Sequence, residues 1–186
     1  MTGRREQILA TAADLFAERG FHGVSVVELG AACGISGPAL YKHFASKDAM
    51  LSEMLVDISE ELLRVGRERS VAAPDPESAV RALVAWHVDF ALHHKPLIVV
   101  QDRDWSSLPE DARERVRGLQ RRYVELWAGR LREVHAGVAP KRARAMAHAT
   151  FGLLNSTPHS ATLPEPEMRA LLTGMAERAL ALRDGP

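Results

Sequence analysis

The chain has 186 residues, with 24 lysines and arginines balanced by 24 aspartates and glutamates, and a single cysteine. That length suits one core, or a small domain fused to a larger one; the lone cysteine excludes an intramolecular disulfide framework and fits a reducing compartment. No apolar run nears the ~20 residues that cross a bilayer and no leader-like apolar block opens the chain, so a cytoplasmic protein without a membrane role is expected.

Arg5 to Arg19 reads as a first helix, with Ile8, Leu9, Ala12, Leu15 and Phe16 on one stripe and Gly20 at its end. Ser25 and Glu28 have the spacing of a capping box, in which hydroxyl and carboxylate each satisfy the other residue's backbone amide. Val26, Leu29, Ala32 and Cys33 follow at helical spacing, and Gly34 stands where the chain needs a left-handed turn. Gly30 and Ala31 are small where a crossing helix must come close. Ser36 caps a second short helix with Pro38 in its first turn. Ile35 fills the gap between the two helices, and Leu40 and Phe44 face the core. Gly37, Ala39, Lys42 and His43 are left outward, with Tyr41 at the edge. Two short helices joined by a glycine turn make a helix-turn-helix, whose second helix enters the DNA major groove.

Ser46 caps a fourth helix that begins at Lys47 and carries Met50, Leu51, Met54, Leu55, Ile58, Leu62 and Val65; its end is expected to dissolve into a linker over Ser70–Pro74. Asp75-Pro76-Glu77 starts a helix to about His94, a short helix spans Lys95 to Val100, and Gln101 to Ser106 reads as irregular. Ser107 and Glu110 repeat the capping-box spacing ahead of a long helix to about His135, whose seven arginines alternate with acids as on a solvated face. Pro140 opens a helix through Leu154, a polar break covers Asn155 to Pro164, and the last helix runs from about Pro166 to Arg183. No strand pattern or repeat interrupts this series, and the fold class is all-α.

The linked run Gly20-Phe21-His22-Gly23-Val24-Ser25-Val26, Gly34-Ile35-Ser36 and Leu40-Tyr41-Lys42-His43-Phe44-Ala45-Ser46-Lys47-Asp48 resembles the TetR family of bacterial transcriptional regulators, over about the first quarter of the chain. The resemblance implies an N-terminal three-helix helix-turn-helix unit (1–46) joined by a long helix to a C-terminal helical bundle (47–186) that dimerises and binds ligand. It implies that Tyr41, His43 and Lys47 hold phosphates, with Ser25 and Ser36 adding contacts, and that Gly37, Pro38, Ala39 and Lys42 face base edges of double-stranded operator DNA. Lys42 can donate to guanine O6 or N7. Val27 departs from the family's more usual polar residue and Gly37 has no side chain, so apolar contacts and DNA shape are expected to add to the readout.

Bulk charge does not advertise nucleic acid, because residues 1–47 carry five basic groups against four acidic ones. Two copies are therefore needed, with their reader helices about one turn of DNA (~34 Å) apart. The last two helices suit a homodimer, and Ala143, Ala147, Phe151, Leu154, Leu171 and Met175 are the expected contact residues. All three tryptophans lie in the middle segment. Trp86, His87, Phe90, Trp105, Tyr123, Trp127 and Asn155 are the expected lining for a mostly apolar effector, although aromatics at helical spacing also make plain core. Cys33 reads as a small buried hydrophobe. Metalloprotease, phosphate-loop and nucleophile-elbow motifs are absent, so neither catalysis, metal nor cofactor is expected. The expected function is a DNA-binding repressor released by its effector; a regulator governed by abundance or a protein partner is the alternative.

Overall fold

The computed structural model describes residues 3–182. Ten α-helices follow one another among these residues: α1 (Arg4–Arg19), α2 (Val26–Ala32), α3 (Gly37–Leu40), α4 (Lys47–Ala72), α5 (Pro76–His93), α6 (Lys95–Asp104), α7 (Glu110–Val134), α8 (Pro140–Leu154), α9 (Thr157–Ser160) and α10 (Glu165–Ala179). No strand occurs among the described residues, so the fold is all-α. None of these helices is long and apolar enough to cross a membrane.

Two compact units divide the chain, one built from residues 1–58 and 96–116, the other from 59–95 and 117–186. The helices α4 and α7 contribute to both. In the first unit, Ile8, Ala12 and Phe16 of α1 share a core with Phe21, Val24, Leu29, Leu40, Phe44, Leu51 and Leu55. Arg103 anchors α6 within this unit by donating to the carbonyls of Phe16 and Ala17, the latter at 3.0 Å. These carbonyls lie in the last turn of α1, where a cation is most favourable. The second unit buries Leu83, Val84 and Val88 of α5, Trp127 and Leu131 of α7, Ala147 and Leu154 of α8, and Leu172 and Ala176 of α10.

Several boundaries differ from the sequence expectation, each for a tertiary reason. Ser70–Ala72 belongs to α4 and not to a linker, because Ser70 is buried and its hydroxyl accepts from Arg130 Nε at 2.8 Å. The stretch after Val100 stays helical to Asp104 and closes with a 3₁₀ turn over Trp105–Ser107. Ser107 does not cap α7; its hydroxyl bonds His22 Nε2 at 2.9 Å, while the Arg113 amide reaches the Pro109 carbonyl. The polar break contains α9, tied down where the Thr157 hydroxyl donates to the Ala91 carbonyl at 2.6 Å. The final helix stops at Ala179, Ala181 takes a φ of 51°, and the expected end at Arg183 lies outside the described residues.

Candidate nucleic-acid interface

The helix-turn-helix is built by local chemistry. The Ser25 hydroxyl accepts from the Glu28 amide at 3.2 Å, and the Glu28 carboxylate takes the Ser25 amide at 2.8 Å and its hydroxyl at 2.7 Å. These donors, the Ser25 hydroxyl foremost, hold the Glu28 carboxyl below its ordinary range. After α2 the chain turns at Gly34, whose φ of 67° is costly for a residue with a Cβ. Gly30 decides how closely α2 and α3 cross: a Cβ there would sit 2.9 Å from both the Gly37 nitrogen and the Ile35 oxygen. Ser36 then accepts from the Ala39 amide at 3.3 Å to start α3.

The reader helix is short, four residues, and is continued by turn bonds from the Lys42 amide to Ala39 and from the His43 amide to Leu40. Pro38, Tyr41 and Lys42 are exposed along it, while Gly37, Ala39 and His43 are half-buried. Val27 and Tyr41 stand out as apolar surface at 72 % and 55 % exposed. Ser25 and Ser36 are exposed too, with their oxygens engaged in the caps.

Most of the basic groups here already have protein partners. Arg4 donates to the Cys33 carbonyl. Arg5 makes a two-point bond to Glu53, donates to the His43 carbonyl and lies 4.1 Å over the Phe44 ring. Arg19 pairs with Glu28. Lys47 donates to the carbonyls of Phe21 at 2.7 Å and Val24 at 2.8 Å, and rests 4.4 Å from the Phe21 ring centre. Its ammonium thus staples the α1–α2 loop and keeps one hydrogen for any outside acceptor. Among the described residues, Lys42 is the basic side chain of this stretch that bonds nothing in the protein. The Arg5, Lys47 and Arg103 anchors span 48, 26 and 87 positions of sequence, and no periodicity or capping pattern announces them. Cys33 is half-buried rather than buried, and burial raises its thiol.

The expected effector residues divide between the units. Trp105 lies in the 3₁₀ turn of the first unit, half-buried, whereas the other six belong to the second. There His87 is the hub. Its ring stacks on Phe151 at 4.7 Å and Tyr123 at 5.8 Å, and meets Phe90 and Trp127 edge-on. Its Nε2 is 3.0 Å from Asn155 Oδ1 and its Nδ1 is 3.4 Å from the Tyr123 hydroxyl. With Asn155 Oδ1 accepting, Nε2 carries the proton and Nδ1 accepts from Tyr123. Burial lowers the His87 pKa to about 4 and pushes the Tyr123 phenol well up, so both are neutral at pH 7. Trp86 is buried and its indole donates to the Leu62 carbonyl at 3.1 Å, beside the cluster rather than in it. The buried indole N–H of Trp127 has no hydrogen-bond partner among the described residues.

The expected dimer residues need correction. Phe151 is half-buried, stacked on the His87 and Tyr123 rings, whereas Ala143, Ala147 and Leu154 have no exposed surface in the single chain and present none to a second copy. They close the protomer's own core. Leu171 and Met175 do face outward, at 42 % and 41 % exposed.

The N-terminal segment matches the model of bacterial regulatory proteins of the tetR family over residues 8–54, and residues 73–159 match the tetracyclin repressor-like C-terminal domain. The repressor KstR2 of Rhodococcus jostii is 31 % identical over 129 residues, covering 69 % of this chain and 63 % of that protein. The chain thus spans less than two thirds of that relative's length. The crystal structure of the TetR family regulator PfmR from Thermus thermophilus superposes with a TM-score of 0.79 at 26 % identity, covering 96 % of this chain and 100 % of that one. The regulator FadR from Bacillus subtilis, solved in complex with stearoyl-CoA, shares the fold with a TM-score of 0.74 at 17 % identity, over 96 % and 98 % of the two chains. The matched models and relatives are transcriptional regulators and not enzymes. With its helix-turn-helix and all-helical second unit, the chain belongs to the TetR family of bacterial transcriptional regulators.

Proposed function

We propose that this protein is a cytoplasmic, sequence-specific DNA-binding repressor that acts as a homodimer and leaves its operator when a mostly apolar small molecule binds. The observation that carries DNA binding is the exposed reader segment, capped at Ser36 and turned at Gly34, with Lys42 as its uncommitted cation. Lys42 then reads base edges, with Gly37, Pro38 and Ala39 facing them, while Tyr41, His43, Ser25 and Ser36 hold phosphates. Lys47 adds to phosphate binding through its remaining hydrogen and otherwise orders the loop. Residues 1–46 form the DNA-binding domain in this reading, and 47–186 the ligand-binding and dimerisation domain.

For the effector, the support is the apolar ring cluster around His87 with its few placed polar groups, Asn155, Tyr123 and the unpaired Trp127 N–H. An uncharged or weakly polar ligand part suits this environment of buried, neutral rings. Stearoyl-CoA in the Bacillus subtilis protein of the same fold is compatible with a long apolar ligand. The mutual stacking of the rings favours a second reading, a filled core and a regulator controlled by abundance or a protein partner.

Selection of bound duplexes from a random pool, followed by titration of the winning site, tests DNA binding. Tyr41→Ala is expected to weaken binding to all sequences alike, whereas Lys42→Ala changes the preferred sequence. Absence of any enriched sequence overturns the proposal. Release of that duplex by an apolar compound that also raises the melting temperature supports the effector reading; stabilisation by none of a broad apolar set favours the second.

A further inference from the structure

The two helices of the motif are almost without polar side chains. Across α2 (Val26–Ala32) and α3 (Gly37–Leu40), Glu28 is the one polar residue. Its carboxylate is already engaged: it accepts from the Ser25 amide and hydroxyl and pairs with Arg19 at 3.3 Å. No side chain of either helix can donate a hydrogen bond to a base edge. Polar readout is thus left to residues beyond the end of α3, where Lys42 is exposed.

What α2 does present is an isopropyl group. Val27 is 72 % exposed, whereas its neighbour Val26 is half-buried. A β-branched side chain brings no helix propensity that would explain it at an exposed position. Val27 also stands beside Gly37. A Cβ built on Gly37 would lie 3.7 Å from the Val26 oxygen and Val27 Cα, and 3.8 Å from Val27 Cγ2, which is ordinary van der Waals contact. With glycine in that place, the missing side chain leaves a notch about the size of a methyl group, walled by the Val27 isopropyl. Of the groups on the major-groove edges of base pairs, the C5-methyl of thymine is the one that apolar contact recognises.

We propose that Val27 is a specificity-determining residue that, with the open position at Gly37, receives the C5-methyl of one thymine in each operator half-site, an assignment that rests on the operator-binding reading above. The neighbouring Glu28 does not oppose it, because Arg19 offsets that charge.

Deoxyuridine lacks this methyl and keeps every hydrogen-bonding group of thymidine. The test is therefore the affinity of the full chain for the selected duplex with each thymine replaced by uracil in turn. One position per half-site is expected to respond. Binding weakens about fourfold when one half-site is changed and about sixteenfold when both are, the worth of one buried methyl group each. In Val27→Ala the thymine and uracil duplexes bind alike at that position. Val71→Ala, which trims an exposed valine of α4 outside the motif, keeps the fourfold difference. Circular dichroism verifies the helices of each variant. Equal affinity for every uracil duplex overturns the proposal and leaves operator binding standing. So does a uracil-sensitive position that stays sensitive in Val27→Ala, since another side chain then meets the methyl. A pool that yields no enriched duplex overturns both readings.

Discussion

Burial changes the chemistry of His87. It is held neutral among four aromatic rings, with a pKa lowered to about 4 from an ordinary 6.5. The unfolded chain binds a proton in this interval that the folded chain refuses, so stability is full above pH 6.5 and falls as pH drops towards 4. From pH 7 to 5 that linkage costs about 2 kcal/mol. Urea denaturation at the two pH values measures it, and His87→Gln should lose most of the pH-dependent difference. At the same scale, the separation of Lys42 from Lys47 was invisible in the sequence. Both are lysines in the reader motif, but only the fold places Lys47 against the Phe21 and Val24 carbonyls.

Helices that depend on neighbours in sequence were legible, and those that depend on neighbours in space were not. The Ser25–Glu28 box, the Gly34 turn, and the caps at Ser36 and Asp75 all form as spacing predicts, because capping reaches only three residues along the chain. The same spacing misleads at Ser107, where His22 competes for the hydroxyl. Two glycines of the motif look alike in sequence and differ in function. A Cβ at Gly30 would meet backbone at 2.9 Å, whereas at Gly37 its nearest atoms are 3.7 Å away. Gly30→Ala is accordingly expected to cost about 1–3 kcal/mol by overpacking the helix crossing. Gly37→Ala should leave the melting temperature within about two degrees, a surface-scale change. Thermal denaturation of the two variants separates them.

For the whole molecule, the exposed apolar pair Leu171 and Met175 on α10 is the face expected to meet a second copy. Leu171→Asp with Met175→Asp should give a monomer by light scattering with native helicity, and operator affinity should fall because two reader helices are no longer held at one DNA turn. A dimer that survives the double change would move the interface elsewhere. Small residues on α8 had suggested the same role, but Ala143 and Ala147 are sealed inside the protomer. Periodicity identifies a helix's apolar side without saying whether its own chain or another covers it.

By itself, then, the sequence determined what short-range chemistry controls: an all-helical chain, the helix-turn-helix and its caps, and membership of the TetR family. Tertiary structure alone decided that Lys47 is committed while Lys42 is not, and that His87 is the hub of the ring cluster while Trp105 belongs to the other unit. The physical reason is range. Capping and turn preferences act within a few residues, whereas charge pairing, desolvation and ring stacking depend on groups brought together from tens of positions apart.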